Sequence, residues 1–447
     1  MVIGEDVEFD REQFERKLAD GTIHVGVIGL GYVGLPLALT FVERAGFRVT
    51  GFDIDEQKIK MIARGETYID HVHADRLRTE AARRLLAATT DFSRLCEPDA
   101  LIIAVPTPLT PQREPDMRYV VDTARAISAR LRKGQLVVLE STTYPGTTDG
   151  PLRQILEESG LRCGQDFLLA FSPEREDPGN QKFSTATIPK VVGGVDPVAT
   201  EVAVAFYAKA LDKVVKVASA RTAEATKLTE NIFRAANIAL VNELKVIYER
   251  MGIDIWDVLD AASTKPFGFM RFNPGPGIGG HCIPLDPFYL TWKAREFGIA
   301  TRFIELAGEI NLSMPRYVVE KLRDALDSRG KPLRGSRILV IGLAYKKDVG
   351  DSRESPSFEI IELLLHHRAV VSYHDPHIPS APVMRSWPNL PPLGSVPLTT
   401  ATLQSVDAVI IATDHSKVDY EFVAKTAPLV VDTRGVFRAP RDNVVKA

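Results

Sequence analysis

Cysteine is scarce in this chain. Only three of its 447 residues are cysteines, Cys96, Cys163 and Cys282. An odd number this small offers no disulfide framework, and unpaired thiols are typical of a reducing compartment. We therefore predict a cytoplasmic protein with reduced cysteines.

Long apolar runs and a strong charge of one sign are also missing. No stretch approaches the ~20 apolar residues of a membrane-spanning helix, and the polar, acidic first residues are unlike a signal peptide. The 55 Lys and Arg residues nearly balance the 58 Asp and Glu residues, for a net charge of −3. This balance argues against nucleic acid or an anionic membrane as the partner. Any anionic ligand must then be met by local groups.

What the chain does contain is a regular alternation of apolar strands and helices. A strand over 24–29 leads into a glycine turn, a helix over 35–45 follows, and a second strand covers 47–53. Further strands are predicted at 100–105, 136–140 and 167–171. This order predicts an open parallel sheet with helices on both faces.

The pattern changes in the second half of the chain. One long helix is predicted over 222–251, because apolar residues recur with a 3.6-residue period. After a helical block over 302–329, strands return at 336–342, 370–373, 408–412 and 429–432. We predict two Rossmann-like, doubly wound α/β domains joined by a helical central domain, with boundaries at 1–215, 216–330 and 331–447.

The first glycine turn matches the dinucleotide-binding pattern G-x-G-x-x-G. The alternative is a glycine turn in an α/β domain that binds no dinucleotide. The position of this turn, after a strand and at the start of a helix, favours dinucleotide binding. Asp53 ends the second strand, where a carboxylate accepts hydrogen bonds from an adenosine ribose and repels a 2′-phosphate. We therefore predict NAD rather than NADP. The predicted contacts are Gly29, Gly31, Tyr32, Val33, Gly34 and Asp53.

A loop rich in glycine and proline ends in a cysteine. It runs from Pro274 to Asp286 and contains Cys282. A free cysteine is usually a small buried apolar residue, and we interpret Cys96 and Cys163 in this way. Cys282 differs, since a glycine-rich loop is hard to explain by packing and leaves the thiol open to activation. We predict that the Cys282 thiol is partly exposed and made more acidic by nearby cations and N–H donors.

Three polar residues elsewhere suggest partners for this thiol. Lys227 and Asn231 are one helical turn apart on the long helix, either as a solvated pair or as part of a site. Glu174 follows an apolar strand at the edge where open α/β sheets bind ligands, although charged loops are usually only solvated. His374 and His377 hint at a metal, but no Cys or Glu stands at ligand spacing, so we predict no metal site.

In order along the chain, these motifs resemble the UDP-glucose/GDP-mannose dehydrogenase family over nearly the whole length. The matching segments are Gly29 to Gly34, Val105-Pro106-Thr107-Pro108, Glu140-Ser141-Thr142, Ser172-Pro173-Glu174, Lys227-x-x-x-Asn231, Gly279-Gly280-x-Cys282-x-x-x-Asp286, Tyr345-Lys346-Lys347-Asp348, Ser352-Arg353-Glu354-Ser355 and Asp432-Thr433-Arg434. The resemblance implies NAD binding by the first domain, dimerisation through the middle and nucleotide binding by the last domain.

The resemblance also implies roles for individual residues. Cys282 is the nucleophile, Lys227 and Asn231 hold the reacting oxygen, and Asp286 assists proton transfer. Thr142 and Glu174 handle the hydrolytic water. The remaining implied contacts are Thr107, Ser141, Thr142 and Arg353 toward NAD, and Lys227, Asn231, Gly279, Lys346 and Arg434 toward the UDP-sugar.

Within the family, the cysteine loop is most similar to the branch that oxidises UDP-N-acetylglucosamine. Leu285 stands where the UDP-glucose branch has Lys, and Pro178 stands where that branch has a second Glu. The segment from Lys265 to Met270 also resembles the UDP-N-acetylglucosamine branch. UDP-N-acetylmannosamine and UDP-glucose are the alternatives. We expect a homodimer that serves surface-polysaccharide synthesis.

Two other classes of protein share some of these features. A β-hydroxyacid dehydrogenase also combines a dinucleotide fold with a Lys-x-x-x-Asn helix, but it needs neither a thiol nor a second α/β domain. A non-catalytic NAD-binding scaffold would not need Lys227, Asn231, Cys282 and Asp286 together. The three classes differ in the NADH formed per sugar, which is two, one or none.

Overall fold

The computed structural model describes residues 9–69, 72–110, 112–175, 183, 185–280, 283–384 and 386–447. Two residues of the sequence argument, Cys282 and Pro178, lie outside these ranges. The chain divides into two compact units. The first ends at Glu230 and includes Phe288–Gly298, and the second consists of Asn231–Pro287 and Ile299–Ala447. The division into three domains stays a prediction.

The first unit is built on an eight-stranded sheet. Its strands are β1 (His24–Ile28), β2 (Arg48–Phe52), β3 (Leu86–Thr89), β4 (Ala100–Ile103), β5 (Leu136–Leu139), β6 (Leu168–Phe171), β7 (Lys190–Gly194) and β8 (Val214–Lys216). They are ordered β3-β2-β1-β4-β5-β6-β7-β8. The chain order reverses direction between β1 and β4, and such a switch point opens a ligand crevice at the carboxyl ends of the strands.

Helices cover this sheet, as its buried apolar strands require. In chain order they are α1 (Arg11–Ala19), α2 (Gly34–Thr40), α3 (Glu56–Ala63), α4 (Ala74–Ala82), α5 (Arg118–Ser128), α6 (Arg153–Glu157) and α7 (Pro197–Tyr207). A π-helical turn, Phe41–Ala45, continues α2; Thr148–Leu152 is another, and Phe92–Cys96 is a 3₁₀-helix. Every residue of α2 is buried, which places the helix that follows the glycine turn directly on the sheet.

One strand pair departs from the parallel sheet that the sequence predicts. β7 runs antiparallel to β6, with Ala170 opposite Gly194 and Phe171 opposite Gly193. All other pairs in this sheet are parallel. The Ser172 hydroxyl, directly after β6, donates a hydrogen bond to the Val191 carbonyl of β7 at 2.8 Å.

The second unit carries a five-stranded parallel sheet. Its strands are β9 (Arg337–Ile341), β10 (Val370–His374), β11 (Ala408–Ile411), β12 (Val430–Asp432) and β13 (Val444–Lys446), in the order β10-β9-β11-β12-β13. The helix α8 (Ala220–Arg250) begins in the first unit and ends in the second. The other helices are α9 (Ile255–Ala262), α10 (Asp286–Arg295), α11 (Arg302–Asp327), α12 (Pro356–His366), α13 (Thr400–Ser405) and α14 (Tyr420–Thr426).

The predicted fold class is confirmed. Two doubly wound α/β sheets are present, and long helices occupy the chain between them. Within the described ranges, no helix combines the length and apolar character needed to cross a bilayer.

Candidate active site

The glycine turn after β1 has the steric properties of a dinucleotide cradle. Gly29 has φ +92°, and a Cβ there would lie 2.5 Å from the Ala104 carbonyl oxygen. A Cβ on Gly34 would lie 1.9 Å from the Gly29 carbonyl oxygen, so the helix can pack this closely only with glycine. At Gly31 a Cβ would meet no described atom within 4 Å. This open backbone, with Tyr32 and Val33 completing the turn, suits a pyrophosphate.

Asp53 lies directly beside this turn. Its Oδ2 accepts a hydrogen bond from the Leu30 backbone N–H at 2.9 Å, and its Oδ1 accepts one from the Asp55 N–H at 3.0 Å. The Lys58 ammonium lies 3.1 Å from Oδ2. The carboxylate is buried and held in place where an adenosine ribose is bound in this fold. Sequence reasoning missed Lys58, which α3 places beside the carboxylate.

Thr107, Ser141 and Thr142 follow β4 and β5, at the same carboxyl edge as the glycine turn. The Ser141 hydroxyl donates to the Val105 carbonyl at 2.7 Å and so ties the two loops together. The Thr107 carbonyl accepts a hydrogen bond from the Tyr289 hydroxyl at 2.9 Å. Thr142 is half-buried beside Ser141. The arrangement orders this edge for a cofactor, and Tyr289 is a contributor that the sequence analysis did not find.

The first unit brings together two predicted catalytic residues that are distant in sequence. The Lys227 ammonium donates a hydrogen bond to the Glu174 carbonyl at 2.5 Å and lies 3.8 Å from the Glu174 carboxylate. Only 7% of the Lys227 side chain and 15% of the Glu174 side chain are exposed. The alternative that these residues are solvated charges on the surface is therefore excluded. A buried cation beside a carboxylate is able to stabilise a developing oxyanion.

A buried ion pair that the sequence analysis missed lies close to Glu174. The Lys190 ammonium is 2.7 Å from the Glu140 carboxylate, which also accepts a hydrogen bond from the Tyr207 hydroxyl. Glu140, Lys190, Glu174 and Val33 line a cavity of about 20 Å³, which is room for one water molecule. Glu140 belongs to a family motif, but its sequence neighbours do not reveal these partners.

In the second unit, Asn231 and Asp286 form a buried pair. The Asn231 side-chain amide donates a hydrogen bond to the Asp286 carboxylate at 2.5 Å, and both residues are at most 4% exposed. The bond fixes the orientation of the amide, because its N–H₂ group faces the carboxylate. The other amide atom, the carbonyl oxygen, is then positioned as an acceptor.

The glycine-rich loop packs its backbone against residues that are far away in sequence. A Cβ on Gly275 would lie 2.7 Å from the Arg434 guanidinium, and one on Gly279 would lie 2.7 Å from the Tyr345 side chain. The Gly280 N–H donates a hydrogen bond to the Arg353 carbonyl at 2.9 Å. The loop therefore needs glycine because Tyr345 and Arg434 approach it this closely. The loop leads into Cys282, which lies outside the described residues.

Arg434, Lys346 and Arg353 are the other predicted substrate and cofactor residues of this unit. Each one contacts the glycine-rich loop or is next to a residue that does. Arg434 donates from Nε to the Ala412 carbonyl at 2.7 Å, which holds its guanidinium near Gly275. Lys346 is half-buried and follows Tyr345. The Arg353 guanidinium forms a two-pronged ion pair with Asp351, with one contact at 2.6 Å. Arg353 is thus held by its neighbour, and its predicted contact with NAD stays a prediction.

Three family models match the chain. They describe the UDP-glucose/GDP-mannose dehydrogenase family, with the NAD binding domain at residues 23–211, the central domain at 221–313 and the UDP binding domain at 339–439. The first match contains the glycine turn and Asp53. The third contains Lys346, Arg353 and Arg434. NAD is therefore the cofactor, and the open cradle at Gly31 fits it.

Curated relatives and solved structures agree on the family while differing in the sugar that they name. The chain is 37% identical to UDP-N-acetyl-D-glucosamine 6-dehydrogenase of Pseudomonas aeruginosa, over 88% of this chain and 91% of the relative. It is 34% identical to NDP-N-acetyl-D-galactosaminuronic acid dehydrogenase of Ralstonia nicotianae, over 93% and 97%. The structure of UDP-D-ManNAc dehydrogenase from Pyrococcus horikoshii superposes with a TM-score of 0.84 at 31% identity, covering 95% of this chain and 98% of that one. The chain belongs to the UDP-glucose/GDP-mannose dehydrogenase family and is an NAD-dependent oxidoreductase.

Proposed function

We propose that the protein oxidises the C6 hydroxymethyl group of UDP-N-acetylglucosamine to a carboxylate, with Cys282 as nucleophile. The main support for this proposal is the position of the Lys227 ammonium, which is buried beside Glu174. A fixed, buried cation stabilises the alkoxide from which a hydride departs. UDP-N-acetylmannosamine and UDP-glucose remain the alternative substrates.

The reaction removes four electrons, and NAD supplies the acceptor for each of two hydrides. Lys227 and Asn231 hold the C6 oxygen while the first oxidation yields an aldehyde. An aldehyde has no hydride to give until a nucleophile adds to it, and the Cys282 thiolate adds to form a thiohemiacetal. The second oxidation converts this adduct into a thioester.

Hydrolysis of the thioester then returns the free thiol and releases the carboxylate. This step needs a water molecule and a general base. We assign Glu174 and Thr142 to the water, and we assign proton transfer to Asp286, whose carboxylate the Asn231 amide orients. The small cavity that Glu174 shares with Glu140 and Lys190 has the volume of one water molecule and supports the role of Glu174.

Two features support UDP-N-acetylglucosamine as the sugar. The relative from Pseudomonas aeruginosa that is named for it shares 37% identity with this chain. In addition, Leu285 stands where the UDP-glucose branch has Lys, so the loop carries one cation fewer beside Asp286. This difference supports UDP-N-acetylglucosamine over UDP-glucose through the family resemblance.

A panel of nucleotide sugars tests both parts of the proposal. We expect two NADH per sugar consumed, and a kcat/KM for UDP-N-acetylglucosamine about tenfold or more above those for UDP-N-acetylmannosamine, UDP-glucose and GDP-mannose, as for one well-placed contact. One NADH per sugar would reject the four-electron reaction. Two NADH with a faster alternative sugar would reject only the choice of sugar.

We also propose that the protein acts as a homodimer. Phe233, Leu240 and Ile247 recur every seven residues on α8, and 46%, 51% and 46% of each is exposed. An apolar stripe of this kind is unusual on a monomer and suits a helix that packs against its counterpart.

Sedimentation velocity tests the dimer. We expect the unmodified chain to sediment at twice its monomer mass, and Leu240→Arg to sediment as a monomer because the charge disrupts the apolar contact. Val383→Arg is the matched control, since Val383 is 92% exposed and lies away from this stripe in sequence. A monomeric unmodified chain, or a Leu240→Arg dimer, would refute the proposal.

A further inference from the structure

Three side chains able to bind a metal converge at the carboxyl edge of the second sheet. Asp348, His377 and His415 follow β9, β10 and β11, which are neighbours in the sheet. The Asp348 Oδ1 lies 3.9 Å from His377 Nε2 and 3.9 Å from His415 Nδ1. All three ligand atoms lie within 4.8 Å of one another. We propose that these residues bind one Zn²⁺ ion.

The hydrogen-bonding of His415 prepares its ring for a metal. The buried Asp375 carboxylate lies 3.1 Å from His415 Nε2 and also accepts backbone N–H bonds from Leu343 and Ala344. Because an ionised carboxylate can only accept hydrogen bonds, His415 must carry its proton on Nε2. The lone pair of the neutral ring is then on Nδ1. Carboxylate–histidine pairs of this kind orient the ligands of zinc sites.

The lone pair of His415 Nδ1 points toward the backbone of Asp348. Without an ion it accepts the Asp348 N–H at 3.0 Å. Asp348 has φ +58°, in the left-handed region that Asp adopts more often than most residues other than glycine. An ion at Nδ1 displaces this hydrogen bond, and the Asp348 N–H then needs another acceptor such as water.

His377 provides an independent reason to expect a ligand. Its Nε2 is buried and has no hydrogen-bond partner among the residues that the structure describes, although the ring as a whole is 19% exposed. A buried ring nitrogen without a partner costs free energy that a metal ion recovers. His374, which the sequence pairs with His377, lies instead 2.8 Å from the Val396 carbonyl through Nδ1 and takes no part.

The chemistry and distances of this cluster favour zinc. Two imidazole nitrogens and one carboxylate oxygen are typical zinc ligands, and the fourth position is left for water. Ligand atoms about 2.1 Å from one tetrahedral ion are ~3.4 Å apart. The two 3.9 Å distances therefore shorten by ~0.5 Å when an ion binds, and the third pair, which lies within 4.8 Å, shortens by at most ~1.4 Å. Ser416 steadies the Asp348 carboxylate through its N–H and hydroxyl, each at 2.7 Å.

The site would stabilise the loop that carries Lys346. Asp348 is two residues beyond Lys346, and the ion ties this loop to the strand ends that carry His377 and His415. Its role is therefore structural and separate from the oxidation chemistry, so binding is measured directly rather than through activity.

Zinc binding by the full chain tests the proposal. All proteins carry Cys282→Ser so that this thiol does not compete, and all are stripped with a chelator before titration with Zn²⁺. We expect one high-affinity ion per chain and a rise in Tm of ~5 °C at saturating zinc. His377→Ala should weaken zinc binding at least ~10-fold and lose the rise in Tm, while its Tm without zinc matches that of the parent.

The control is His367→Ala, an exposed histidine of the same unit outside the cluster, which should bind zinc like the parent. Asp348→Asn is a second variant that keeps the side-chain shape, and it should also lose zinc. It tests the site if His377→Ala proves unstable. A parent that binds no zinc, or variants that bind it equally well, would overturn the proposal.

Discussion

Replacing Cys282 with serine should lower carboxylate production by at least ~10³-fold while NAD and the UDP-sugar still bind. Binding requires no sulfur, and the first hydride transfer needs only Lys227 and Asn231 to manage the alkoxide. A serine hydroxyl is a far weaker nucleophile near neutral pH than an activated thiol. The aldehyde-level product should therefore accumulate in place of the acid.

Rapid quench followed by carbonyl trapping and mass spectrometry measures both products. Cys163→Ser is a suitable control, because burial raises the pKa of the Cys163 thiol to about 12 and keeps it protonated. Cys96→Ser is a second control: Cys96 is exposed, so its interpretation as a buried residue is wrong, and its thiol donates a hydrogen bond to the Ser93 carbonyl at 3.6 Å. Both controls should stay near the parent rate. Carboxylate formation by Cys282→Ser at a tenth of the parent rate would contradict the covalent mechanism.

Replacing Asp53 with serine should reverse the preference for NAD over NADP. The carboxylate beside the glycine turn repels a 2′-phosphate and accepts hydrogen bonds from a ribose. Its loss should lower kcat/KM for NAD by ~10- to 100-fold, the worth of a hydrogen bond to a charged group. It also releases Lys58, now 3.1 Å from the carboxylate, to pair with the phosphate of NADP.

Initial rates with both cofactors measure this change. The double variant Asp53→Ser/Lys58→Met should lose the gain with NADP but keep the loss with NAD, which separates the lysine from the carboxylate. Glu56→Gln controls for the removal of one nearby negative charge, since Glu56 pairs with Lys60 on the surface. If the unmodified protein used both cofactors equally, the role assigned to Asp53 would be wrong.

Local sequence patterns located most of the regular structure. The long helix was predicted over 222–251 and is found at Ala220–Arg250, because a 3.6-residue apolar period over eight turns leaves few alternatives. The sequence also predicts strands β1, β2 and β4 to β6, because each is a short apolar run between helices. β3, β7, β8 and β13 were missed.

The missed strands share a weak local signal. β8 and β13 are three residues long and not fully buried, so they lack a continuous apolar run. β7 contains Lys190 and two glycines, and its strand character depends on the ion pair of Lys190 with Glu140 and on pairing with β6. Its antiparallel direction follows from that pairing and has no local signature.

Composition, periodicity and motif order were thus enough to predict the fold class, NAD as cofactor and the family. These properties are local: a glycine turn between a strand and a helix, or an apolar stripe on one helix, is specified by residues close in the chain. The partners of each functional side chain depended on tertiary structure. Lys227 with Glu174, Asn231 with Asp286, the glycine loop with Tyr345 and Arg434, and His377 with Asp348 and His415 are all contacts between distant segments. No local period encodes such contacts, because the packing of whole sheets and helices sets which strand ends and loops meet.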